Sequence, residues 1–212
     1  MPDWIDSQLR RRGIADERVL DAMARVPREQ FVPPEARDLA YADAALQLSC
    51  GQTISQPFIV AVILQSLALE GGERVLDVGT GSGYQAALLR TLAAEVVTIE
   101  RIPELAALAR ENLDRTGFAD VDVLVGDGSL GVPERAPFDA IAVAAAAPAV
   151  PTALVEQLAP GGRLVLPVGD ELVHVSGGRV TLLVPARFVP LVRGFPPEGT
   201  ERMEADERPL RR

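Results

Sequence analysis

The chain has 212 residues, 48% hydrophobic and 24% charged, and its net charge of −9 stands against 21 basic residues that are all arginine. That size and balance provide for one good hydrophobic core and exclude fibrous, disulfide-rich and mainly disordered classes. The acidity argues against nucleic acid, whose binding draws on cations meeting phosphates. One cysteine, Cys50, and one histidine, His174, exclude an internal disulfide and a zinc site of the usual kind.

In chain order, the acidic start Met1–Asp6 does not read as a signal peptide. Arg10, Arg11 and Arg12 read as a solvated helix end. Asp16 caps a helix with Val19, Leu20, Met23 and Val26 on one face, and Pro27 ends it. A short helical piece starts at Pro33-Pro34, residues 41–56 are irregular, and residues 57–69 form an apolar helix with Ser55 near its cap. The apolar runs 58–64 and 140–154 are too short, or too broken by Pro148 and Pro151, to span a membrane.

From Arg74 onward strands and helices alternate. Strands are expected at 75–78, 96–99, 121–125, 138–143 and 163–168, and helices at 84–92, 103–115 and 151–158. The pair Gly161-Gly162 reads as a turn, Ser176-Gly177-Gly178 as a hairpin between 172–175 and 180–184, and 188–192 as a last strand. Continuous apolar strands alternating with helices predict an α/β fold: a mostly parallel central sheet covered by helices on both faces. The hairpin adds an antiparallel edge, and an N-terminal helical segment precedes the sheet. The expected division is one domain over 1–193, with a substrate-side region at 1–69 and an α/β core at 70–193, then a flexible tail at 194–212.

The chemistry gathers at strand ends, where open parallel sheets bind ligands. The run Val75 to Tyr84 spells D-x-G-x-G-x-G, with Asp77 closing the strand and Gly79, Gly81 and Gly83 forming the turn with Thr80 and Ser82. A dinucleotide turn spells G-x-G-x-x-G instead. An acid at that place repels a pyrophosphate but suits an amino-acid ammonium group, which S-adenosylmethionine carries without any phosphate. A nicotinamide dehydrogenase is the competing reading. Glu100 ends the next strand, where it accepts both ribose hydroxyls or merely pairs with Arg101. Asp127 follows the third strand, where it accepts from an adenine amino group or merely caps a turn. Gly128 leaves room for the ring, and Asp77 faces the methionine moiety. After Phe138–Val143 the chain reads Ala144 to Ala147 then Pro148, without the acidic or amide Pro-Pro-aromatic motif of amine methylation. The acceptor atom is therefore not such a nitrogen.

Upstream, Gly51-Gln52-Thr53-Ile54-Ser55-Gln56-Pro57 sets hydroxyls and amides before a helix with proline at its first position. As structure this is a cap, and as function it is a carboxylate site. Cys50 reads as a small buried residue, and His174 as a surface residue of the hairpin.

These stretches, with Val26 to Val32, Ala136 to Asp139, Gly161 to Val165 and Phe188 to Leu191, resemble the protein-L-isoaspartate O-methyltransferases over residues 5 to 193. The resemblance implies a Rossmann-like S-adenosylmethionine-dependent methyltransferase fold. It implies methyl transfer to the free α-carboxyl of L-isoaspartyl residues in damaged proteins, with S-adenosylhomocysteine as the product. The ester then collapses to a succinimide, which reopens partly to aspartate. By motif, Ser55 takes the active-site serine's place, and Gln52, Thr53 and Ser55 face the substrate. Thr53, Ile54, Asp77, Gly79, Thr80, Gly81, Ser82, Glu100, Asp127 and Gly128 bind the cofactor. Ala144 departs from the family, which often has threonine there, as do Leu46 to Cys50 and a shorter segment after Gly169. The alternatives are a carboxyl methyltransferase acting on aspartate of a dedicated peptide, and a nucleoside-binding module without chemistry. A cytoplasmic monomer without metal, nucleic acid or membrane is expected.

Overall fold

A computed structural model describes residues 1–195. Short helical turns at 5–12 lead into α1 (Glu17–Arg25), where the Asp16 carboxylate accepts from the Arg18 N–H as the sequence predicts. The stretch 41–56, expected to be irregular, holds a small antiparallel hairpin, β1 (Leu46–Gln47) and β2 (Thr53–Ile54). Its tip carries Cys50 and Gly51 at φ of 56° and 66°. Two paired residues per strand are too few for a period to show. The apolar α2 (Pro57–Leu67) follows and stops two residues earlier than expected, where Ala68 turns left-handed at φ 46°.

The main sheet then forms in the expected order. It contains β3 (Arg74–Val78), β4 (Glu95–Glu100), β5 (Asp122–Val125), β6 (Phe138–Val143), β7 (Leu158–Val168), β8 (Glu171–Ser176) and β9 (Arg179–Pro185). Between them lie α3 (Tyr84–Leu92), α4 (Pro103–Arg115) and α5 (Thr152–Val155). The strand order is β5-β4-β3-β6-β7-β8-β9. The pairs from β5 to β7 are parallel and the last two antiparallel, so the edge is a meander of three strands.

Three expectations are corrected. Gly161-Gly162 is no turn but lies inside β7, next to a register shift against β6. That early start of β7 cuts the helix expected at 151–158 down to Thr152–Val155. Residues 188–192 make only an isolated bridge, Ala146 with Pro190, and not a strand. Of the expected tail, residues beyond Phe195 lie outside the described residues.

Alternate residues of each strand feed opposite faces. Val75, Ala140 and Val165 face the cluster that includes α1, α2 and α3. Leu76, Val78, Ile141 and Val143 face a smaller cluster closed by short turns and α5. No helix among the described residues is long and apolar enough to cross a membrane, and no cluster of metal-ligating residues occurs among them.

Candidate functional site

The order reverses at β3, which has β4 on one side and β6 on the other. Ligands of open parallel sheets bind at such a switch point, beyond the carboxyl ends of the strands. A cleft opens there. Its floor is Val78 to Ser82 from β3, Ile99 to Ile102 from β4, Gly128 after β5, and Ala144 and Ala145 after β6. Its roof is Gly51 to Ser55 and Val189 to Val192. The structure therefore brings together Gln52, Thr53, Ile54, Ser55, Gly79, Thr80, Gly81, Ser82, Glu100 and Gly128, residues up to 76 positions apart in the chain (128 − 52).

The turn is built from three left-handed glycines, Gly79 at φ 93°, Gly81 at 55° and Gly83 at 90°. Only glycine takes that region without cost, so the spacing of the motif is a backbone requirement. Glu100 fixes the turn. One carboxylate oxygen accepts the Gly81 N–H at 3.0 Å and the other the Ile102 N–H at 3.1 Å. It does not pair with Arg101, whose Nε donates to the Gly194 carbonyl at 3.2 Å. A pyrophosphate would need the turn's N–H groups free and no carboxylate beside them. Here one is already taken, which weighs against a dinucleotide.

Asp77 does not reach the cleft, against expectation. It is fully buried; the Gln85 amide donates to one oxygen at 2.8 Å and the Thr98 hydroxyl to the other at 2.9 Å. Thr98 in turn shares a 2.7 Å bond with Thr80. Burial pushes the Asp77 carboxyl up to about 6, against the two donors, with the Glu100 charge adding to the rise. Asp77 therefore braces the layer behind the turn, since the strand carries its side chain into the sheet and not past its end.

Asp127 is also engaged elsewhere. The Ser129 N–H and hydroxyl donate to one oxygen at 3.0 and 2.7 Å, so it does cap a turn. The Gly194 N–H donates to the other at 2.7 Å, on the acceptor the sequence reserved for an adenine amino group. Burial raises this carboxyl, but the Gly194 and Ser129 bonds and the Arg193 charge outweigh it and hold it below the usual range. Gly128 needs to be glycine for a reason other than ligand room. A Cβ there would meet Val78 Cγ1 at 2.7 Å.

On the roof, Ser55 is not the cap of α2. The cap residue is Gln56, whose side chain makes no capping bond and donates to Asp43 instead, at 2.6 Å. Local capping thus does not explain Ser55, which lines the cleft. Cys50 is exposed, contrary to the expectation of a buried residue, and His174 pairs along β8 away from the cleft. Sequence reasoning missed Tyr84, Gln85, Arg101 and Val189 to Val192 as wall residues. Gln85 was findable, one helical turn from the glycines, but nothing local marks 189–192. That segment is tied down by the Ala146 N–H donating to Val189 and the Leu191 N–H donating to Ala146, both at 2.8 Å.

With this geometry in place, comparison with known proteins is informative. A family model described as Protein-L-isoaspartate(D-aspartate) O-methyltransferase matches residues 4–193. A relative named Protein-L-isoaspartate O-methyltransferase 2, from Marinobacter nauticus, is 66% identical over 164 residues, covering 77% of this chain and 75% of its own length. Protein-L-isoaspartate O-methyltransferase from Koribacter versatilis is 53% identical over 203 residues, covering 91% of each. A solved structure from Plasmodium falciparum superimposes with a TM-score of 0.79 at 28% identity, over 90% of this chain and 97% of that one. It is named for the same activity and was solved in complex with S-adenosyl-L-homocysteine.

Proposed function

The chain belongs to the protein-L-isoaspartate(D-aspartate) O-methyltransferase family, and on that premise we propose that its cleft methylates the free α-carboxylate of L-isoaspartyl residues. S-adenosylmethionine is the methyl donor, and the methyl ester then closes to a succinimide and begins repair. The observation that carries this reading is the meeting of two motifs distant in sequence. The glycine turn with Glu100 forms one wall, and Gln52 to Ser55 the other.

The residues present fit the cofactor. Glu100 sits at the mouth of the turn, 6% exposed, and offers lone pairs for ribose hydroxyls. Gly79 to Ser82 let a ligand approach the backbone, and Thr53 and Ile54 close over it. Gly128 shapes the far end. When bound, the cofactor supplies a methyl group on a sulfonium that is already a good leaving group.

The protein's share is positioning. A carboxylate is ionised at neutral pH and needs no base, so the work is to hold it in line at contact distance. Ser55 orients that carboxylate by donating a hydrogen bond, with Thr53 and Gln52 beside it, and is not a nucleophile. We read residues 1–193 as one domain working as a monomer in the cytoplasm, on isoaspartyl proteins and peptides and not on nucleic acid.

The test offers an isoaspartyl peptide and its normal aspartyl twin with methyl-labelled cofactor. Base-labile label, released as methanol, is expected from the isoaspartyl peptide alone. Label on neither peptide defeats the reading, while label on the aspartyl peptide moves it to a dedicated aspartate substrate.

A further inference from the structure

Arg28, in the Val26–Val32 stretch, is the largest fully buried side chain among the described residues. Its Nε donates to the Ala40 carbonyl and its Nη2 to the Ser55 carbonyl, each at 2.7 Å. Its guanidinium carbon lies 4.9 Å from the centroid of the Tyr84 ring. Its Nη1 and the Tyr84 hydroxyl are both buried without a hydrogen-bond partner. No carboxylate pairs with it among the described residues, and its neighbour Glu29 accepts from the Tyr41 hydroxyl.

A buried guanidinium without a counter-ion is costly, by several kcal/mol. Bracing two carbonyls does not by itself require a charge, since a neutral amide also donates to carbonyls. The charge therefore calls for an anion nearby. Ser55 and Tyr84, the two residues Arg28 touches on that side, both line the cleft.

We infer that Arg28 is a positioning and specificity residue: it fixes the Ser55 backbone and sets a buried positive potential beneath the cleft that selects an ionised substrate carboxylate over its neutral ester or amide. This rests on the carboxyl-methylation reading above. Methylation turns the anion into a neutral ester, so the attraction that draws substrate in does not retain product. The transition state carries less negative charge on the carboxylate than the bound substrate. The potential therefore lowers KM and, because it favours the bound carboxylate over the transition state, does not raise kcat.

The experiment compares two ligands on the full chain: an isoaspartyl peptide, by its KM, and the same peptide with that α-carboxyl amidated, by its Ki. Arg28→Gln keeps N–H donors and loses the charge, and Arg28→Lys keeps the charge and loses the fork. The ratio of Ki to KM is expected to fall about tenfold in Arg28→Gln. It is expected to survive in Arg28→Lys, with S-adenosylhomocysteine affinity unchanged in both. An unmoved ratio in Arg28→Gln, or equal weakening of both peptides, overturns the proposal. In the unsubstituted protein the ratio should persist at roughly 0.5 M salt, because a buried charge is poorly screened. Collapse of the ratio with salt would assign the discrimination to surface cations and also overturn it. This last measurement does not depend on a variant folding. Absence of any turnover on the acid peptide defeats the functional reading itself, whereas turnover with an unmoved ratio defeats only the role of Arg28.

Discussion

On the floor of the cleft, functional groups hang from strands whose mutual positions are set by parallel register, with Asp77 opposite Thr98 of β4 and Ala142 of β6. On the roof, Gly51 to Ser55 hangs from a hairpin of two paired residues per strand, Val189 to Val192 from an isolated bridge, and Ser55 from one side chain, Arg28. The floor is thus held by many repeated bonds and the roof by a few single ones. Floor substitutions should change cofactor affinity or stability, and substitution of Ser55 on the roof should change turnover while leaving the cofactor site intact.

The largest expected effect is on the floor. Glu100→Ala removes the ribose acceptor and the acceptor for Gly81 N–H together. Two lost bonds to a charged group, at about 1.5–3 kcal/mol each, predict a loss of S-adenosylhomocysteine affinity of about a thousandfold by calorimetry. A change under about tenfold would remove Glu100 as an anchor and blur the contrast between floor and roof.

Next in size is Asp77→Asn, which tests whether the floor's second layer serves structure. With its carboxyl raised to about 6, Asp77 holds a proton in the fold at a pH where the unfolded chain, with a value near 3.9, has lost it. Its contribution to stability is therefore fully present below about pH 4 and is lost as pH rises to about 6. Over that window the asparagine variant should gain on the natural protein by up to about 3 kcal/mol, read from denaturant unfolding at a series of pH values. Parallel stability profiles would show that Asp77 ionises freely, contrary to its burial.

The smallest expected effect is on the roof. Ser55→Ala removes one hydrogen bond to a carboxylate, so turnover of an isoaspartyl peptide should fall by about tenfold. Cofactor affinity should stay within about twofold. A large loss of cofactor binding instead would place Ser55 on the floor's side of the division.

How much was legible follows the same division. The strand ends, the glycine turn and Glu100 could be read because each is a local pattern: an apolar run, an acid, and glycines whose φ values demand glycine. The Gly51–Pro57 motif was legible as a cluster with Ser55 near the start of α2, where Gln56 takes the cap position. The tiny hairpin and the 188–192 segment carry too few paired residues for any period to show.

The sequence by itself determined a parallel α/β core, a turn suited to a nucleoside without phosphate, and an acid at its mouth, because helix, strand and glycine preferences act over a few neighbouring residues. Only the tertiary structure decided which acids face the cleft. It sealed Asp77 behind Thr98, 21 residues away, and joined Asp127 to Gly194, 67 residues away. It also set Arg28 beneath Ser55, 27 residues away. Those contacts join distant segments, and burial and pairing at that range leave no local trace for a motif to carry.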